Sequence, residues 1–216
     1  MTTTVVRGEP NTSEAGWAAL FGREHGPVAV TLAAGVALHA VNVYLATTIM
    51  PSVVDDIGGS SLYAWATTIF VFASVLGSAA ADLGARGPRA SYRFAALLLA
   101  AGTTVCVLAP NMLVLLAGRL VQGLGGGLLF ALSYAMVRIT LHDALWPRAM
   151  ALVSAMWGVA TLVGPALGGI CAQLGAWRNA FWVLVPFLLF FGLWGGRCAC
   201  QREGRVDRPR GFPGRV

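Results

Sequence analysis

Six apolar stretches, each close to the length of a bilayer crossing, follow one another along this chain: about 27–50, 62–81, 92–109, 112–137, 149–171 and 180–196. A helix rises 1.5 Å per residue and a hydrocarbon core is about 30 Å thick, so about 20 mostly apolar residues span it. The third stretch is a little short. Of the 216 residues 57% are hydrophobic and 11% charged, against about 25% charged in an ordinary soluble domain. That charge cannot coat a globule in water, so lipid must cover much of the surface. Lipid cannot hydrogen-bond the backbone, which restricts the spanning segments to helices. The expectation is an all-α, multi-pass protein of the cell membrane, with six transmembrane helices and short links that make a compact bundle.

The arginines give the orientation. The gap PSVVDDIGGSS after the first stretch holds two aspartates and no basic residue, whereas DLGARGPRASYR after the second holds Arg86, Arg89 and Arg93. Only APN separates the third and fourth stretches, RITLHDALWPR after the fourth brings Arg138 and Arg148, and the next gap has Arg178 alone. Basic gaps alternate with basic-poor ones, which places both termini in the cytoplasm. Residues 1–26 are polar and mixed in charge, with no basic start leading into an apolar core, and read as a cytoplasmic leader rather than a signal peptide. Residues 197–216 are rich in Arg, Gly and Pro without apolar periodicity. Disorder is expected there, unless the segment is an out-of-frame ending to a longer gene.

The segment GRLVQGLGGG, 118–127, carries the sharpest signal. An arginine inside a span costs at least about 2.5 to 3.5 kcal/mol, so Arg119 should face a wet cavity or a partner. Alternatively it snorkels to the headgroups, being about seven residues from Met112. Gln122 and Gly126 follow at helical spacing and extend one polar, thin-walled stripe. The glycines suit lipid, where helices associate by close backbone approach. Gly123 and Gly127 stand in GxxxG register, Gly164 and Gly168 repeat it in the fifth stretch, and Ala73, Gly77 and Ala81 give a small-residue stripe in the second. Pro165 removes a donor and should bend the fifth helix. In the first stretch His39 and Asn42 share a face, either as a cavity wall or as partners of a neighbouring helix. No stretch has a carboxylate near its centre, so proton coupling through this segment must use His39, lie elsewhere or be missing.

Other classes fare poorly. The glycines are not a phosphate loop, since no Gly-Lys-Ser/Thr follows, nor a dinucleotide fingerprint, since the spacing is wrong and no strand precedes. The net charge of +6 lies in the gaps and the tail, a topological pattern and not a nucleic-acid surface. Cys106 and Cys171 read as packing residues, and the Cys198–Cys200 pair lacks the further ligands of a zinc site. There is no H-E-x-x-H, no G-x-S-x-G and no intramembrane aspartate pair. His25, His39 and His142 are scattered, and Ser133 and Ser154 lack an evident base. No catalysis, metal or cofactor is expected.

These motifs resemble the major facilitator superfamily, particularly its multidrug-efflux members, over roughly residues 28–196. LAGRLVQGLGGG is similar to the family pattern at Arg119, Gln122 and Gly123, and GVATLVGPALGG resembles the antiporter signature at Gly158, Gly164, Pro165, Gly168 and Gly169. PSVVDDIGG and WRNAFWVLVP also look like the drug:proton antiporter branch. In the loop after the second stretch Asp82, Arg86 and Arg89 are similar to the family's gating loop, although Gly77 stands five residues before Asp82 and Ser78 takes the expected place. The carboxylate common in the first span of that branch is missing. The resemblance implies the first six-helix half of a transporter with twelve or fourteen spans. It also implies alternating access for efflux of a small molecule or drug, possible proton coupling, and a second half or a homodimer to complete the path. His39, Asn42, Arg119 and Gln122 would lie on the substrate or ion path, and the glycines at helix interfaces. A non-transporting remnant or accessory membrane subunit is the competing expectation.

Overall fold

The computed structural model describes residues 17–22, 25–81, 88–141 and 143–188. Among these, every regular element is helical: α1 (Trp17–Leu20), α2 (Gly26–Ile57), a 3₁₀ turn (Ser60–Leu62), α3 (Tyr63–Ala80), α4 (Pro88–Val107), α5 (Met112–Thr140), a 3₁₀ turn (Asp143–Leu145), α6 (Trp146–Gln173) and α7 (177–188). Five of the helices, α2 to α6, are long and apolar enough to cross a membrane. The sixth expected stretch, 180–196, begins earlier than its composition suggests. Its helix starts at 177, and 189–216 lie outside the described residues, as does the whole tail.

Local chemistry explains the helix ends. Pro at the first turn needs no donor, which suits the starts of α2 and α6 at Pro27 and Pro147 and moves the start of α4 back to Pro88 from the expected 92. Asn111 caps α5, its side chain accepting from the Val114 N–H at 3.0 Å. The clearest difference from expectation is α2, which runs on through Pro51 to Ile57 rather than stopping at Met50. The proline forfeits one backbone bond, but the turn beyond it buries Val53 completely and packs Val54 and Ile57 on the core. At 32 residues, about 48 Å, α2 is longer than a hydrocarbon core is thick, and Asp55 and Asp56 lie in its last turn. Gly58 and Gly59, with φ of 70° and 87°, then reverse the chain in a conformation that a side chain would strain.

α5 lies at the centre. It packs along α3 on one side and α4 on another, and touches α2, which in turn lies along α6. The expected leader is partly structured. α1 leaves Trp17 half exposed but buries Leu20 completely in the main core, and residues 1–16 lie outside the described residues.

A clamp fastens three helix ends. Arg178, at the start of α7, donates from Nη1 to Asp56 Oδ2 at 2.8 Å, from Nε to the Val107 carbonyl at 3.2 Å and from Nη2 to the Ala109 carbonyl at 3.2 Å. Trp177 Nε1 donates to the same Asp56 oxygen at 3.1 Å, and the guanidinium stacks over the Trp177 ring at 4.3 Å. The lone basic residue of one gap thus meets an aspartate of another basic-poor gap, and the ends of α2 and α4 are held at the start of α7.

Candidate functional site

Arg119 is completely buried, eight residues into α5. It does not snorkel. Its Nη1 donates to Asn42 Oδ1 of α2 at 2.8 Å and to Gln122 Oε1, one turn on, at 2.7 Å. Its Nε donates to the Ala66 carbonyl of α3 at 3.2 Å, and its guanidinium lies 4.1 Å over the Phe70 ring. Gln122 Nε2 donates to Thr103 Oγ1 of α4 at 2.9 Å, and that hydroxyl donates to the Leu99 carbonyl at 2.8 Å. One chain of bonds therefore joins α2, α3, α4 and α5, and Asn42, Thr103, Arg119 and Gln122 are all buried.

The charge balance is unusual. Burying a cation costs several kcal/mol unless it is paired and hydrogen-bonded, and arginine does not escape by losing its proton. Among the described residues every acceptor bonded to Arg119 is neutral: two side-chain amides and one carbonyl. The Phe70 face adds cation–π attraction, worth about 2 kcal/mol or more when desolvated. Arg119 Nη2, Asn42 Nδ2 and His39 Nδ1 are buried without a hydrogen-bond partner among the described residues.

The glycines explain how a guanidinium fits among four helices. A Cβ on Gly123 would meet the Phe70 carbonyl and stand 2.8 Å from Ala73 Cβ, and one on Gly127 would stand 2.6 Å from Ser74 Cα, both on α3. One on Gly118 would lie 2.7 Å from Cys106 Sγ, and one on Gly125 2.8 Å from Leu99 Cα, both on α4. Gly126 faces α2, where a Cβ would stand 3.2 Å from His39 Nδ1. In α6, a Cβ on Gly164 would be 2.6 Å from Tyr44 Cβ, and one on Gly168 3.1 Å from Thr48 Cβ. Two expected interface glycines are placed otherwise. Gly158 and Gly169 have nothing within 4 Å of where a Cβ would sit, because the face of α6 they occupy is turned away from α2 among the described residues. Pro165 lies inside α6, which continues through it to Gln173.

The structure thus brings together three of the expected path residues, Asn42, Arg119 and Gln122, in one network. His39 sits beside that network without a bond to it, its ring 5.5 Å from Phe70. Asp82 and Arg86 lie outside the described residues, and Arg89 falls in the first turn of α4. Thr103, Phe70 and the Ala66 carbonyl are missing from the sequence reading. The position of Thr103, nineteen residues before Gln122, gives no local hint of the pairing. An apolar groove of about 590 Å³ lies on another face of α2, between it, α6 and α7, lined by residues such as Val30, Leu38, Leu167 and Phe187. It has no polar group to orient a ligand. No three His, Cys, Asp or Glu side chains gather into a metal site among the described residues.

A sequence profile of the Major Facilitator Superfamily matches residues 32–204. The chain belongs to that superfamily. A "Probable multidrug-efflux transporter" of Mycobacterium tuberculosis is 49% identical over 175 residues, covering 80% of this chain and 37% of that protein. An MFS transporter of a Phoma species is 35% identical over 159 residues, covering 70% of this chain and 25% of its own length. An efflux pump of Fusarium langsethiae is 30% identical over 151 residues, covering 69% and 28%. The chain therefore spans little more than a third of the length of the most similar of these superfamily relatives. Membership of the superfamily, with its five apolar spanning helices, makes this a multi-pass membrane protein.

Proposed function

We propose that this chain forms one wall of the substrate path of an efflux-type transporter, which exports a small molecule by alternating access. A second half or a second copy of this chain supplies the facing wall. The observation that carries the reading is the buried Arg119 network. A cation held by Asn42, Gln122 and a backbone carbonyl, with no carboxylate bonded to it among the described residues, is expensive in lipid and marks a functional position. The efflux names of the relatives support the same reading. In it, Asn42, Arg119 and Gln122 bind four helices into one rigid unit that rocks about the path, and His39 is the group beside that unit. None of the nine carboxylates lies near the middle of an apolar stretch, so in this reading a proton taken up within this wall goes to His39. Asp82 and Arg86, with Arg89 at the start of α4, act as the gate, and both termini face the cytoplasm.

Export of a drug in a resistance assay tests this. Arg119→Ala should abolish export while membrane insertion persists, and tags at the two ends should report the same compartment. Normal export by Arg119→Ala, or tags in opposite compartments, would overturn it. A second reading, an accessory membrane subunit that does not itself transport, is favoured by the complete burial of Arg119 within this chain. Absence of any oligomer on crosslinking, together with absence of export, would select it.

A further inference from the structure

Six rings gather where α2, α3, α5 and α6 meet. His39 lies 5.5 Å from Phe70, 5.3 Å from Phe130 and 6.5 Å from Trp157, centre to centre. Tyr44 meets Trp157 edge-on at 6.2 Å, and Tyr134 lies 4.8 Å from Phe130. Only Phe70 is fully buried, and the other five are partly exposed, so the cluster has an open side. Rings at these separations pack on one another, and the faces left at the open side offer apolar surface on which a planar aromatic molecule can stack.

By themselves such walls would attract organic cations through the negative ring faces. Here the one fully buried ring, Phe70, already carries Arg119 over its face, which puts a fixed cation behind the cluster. Its charge is offset by neutral groups only, and a full charge acts over a longer range than a ring quadrupole, falling only as 1/r in a weakly screening interior. Arg119 Nη2 and Asn42 Nδ2, buried and unpartnered among the described residues, are both donors, the counterpart of a carboxylate's acceptors. The geometry points to a planar aromatic anion, such as an aryl carboxylate, as the ligand class this wall selects, with organic cations disfavoured. This rests on the reading that the surface lines a substrate path.

The full chain in lipid nanodiscs, with three probes of one shape, tests it by tryptophan quenching: 4-nitrobenzoate, neutral 4-nitrobenzamide and cationic trimethyl-4-nitroanilinium. Quenching by nitrobenzoate should saturate at least about tenfold below the concentration the cation needs. Trp157→Phe should remove the saturable part, and Arg119→Gln should bring the anion-to-cation ratio close to one. A cation that binds as tightly as the anion overturns the inference, whatever the variants do. So does saturable quenching that survives Trp157→Phe. Binding of the neutral probe without preference for the anion removes this inference but leaves the path reading standing. No saturable quenching by any of the three removes both.

Discussion

Adding one methyl group at Gly127 and one at Gly158 should move stability in opposite directions. A Cβ at Gly127 would run into the Ser74 carbonyl and stand 2.6 Å from Ser74 Cα. Both atoms are backbone, so no side chain can swing aside and α3 must move away from α5. Overpacking of this kind costs about 1–3 kcal/mol, and contact with backbone belongs at the upper end. Exchanging glycine for alanine inside a helix returns about 1 kcal/mol. The net loss for Gly127→Ala is then about 2 kcal/mol, or a fall of about 4–8 °C in melting temperature for a chain of this size. At Gly158 a Cβ would meet nothing within 4 Å, so only the helix-propensity gain remains and Gly158→Ala should rise by about 2–4 °C. A thermal ramp in detergent, followed by gel filtration of the surviving folded protein, measures both. Shifts of the same sign would refute the argument that α5 and α3 meet backbone to backbone while this face of α6 is open.

Two further predictions concern the polar ties. Gln122→Leu deprives Arg119 of one acceptor and Thr103 of its donor, so it should destabilise by about 1–3 kcal/mol. Thr103→Val removes one neutral bond between helices, besides the bond back along its own helix, and should cost about 0.6 kcal/mol, the average for a bond between membrane helices. Unfolding titrations in SDS check the order, and equal effects would mean that the network does not centre on the cation. At the clamp, Arg178→Lys should lower the melting temperature more than Asp56→Asn does. A lysine cannot reach the Asp56 carboxylate and the Val107 and Ala109 carbonyls together, whereas an asparagine can still accept from Trp177 and Arg178. The reverse order would show that charge, rather than the forked hydrogen bonding, fastens these ends.

How much of this was legible in the sequence depended on range. The apolar runs announced the helices because lipid leaves the backbone no alternative, and the GxxxG pair Gly123 and Gly127 announced a close helix contact because spacing of four repeats one face. Arg119 announced a partner by its cost alone. Its actual partners were hidden: Asn42 stands 77 residues away and the Ala66 carbonyl 53, and a backbone oxygen leaves no trace in a sequence. Thr103 looked like any threonine bonding back along its own helix, which it also does. Gly118 and Gly125, seven residues apart and facing α4, were passed over for the tighter GxxxG register. The end of α2 was misplaced because Pro51 reads locally as a stop, while Val53, Val54 and Ile57 hold the next turn by contacts with distant helices.

The glycine surface of α5 also constrains how this gene can change. Any missense mutation of a glycine codon installs a larger residue, since glycine is the smallest there is. At Gly123, Gly125 and Gly127 even the smallest replacement collides with the main chain of a neighbouring helix. These positions therefore have no mild single-step neighbours, and a population carrying this protein should tolerate substitution on the exposed side of α5, at residues such as Leu113 and Leu120, long before it accepts any at the three glycines.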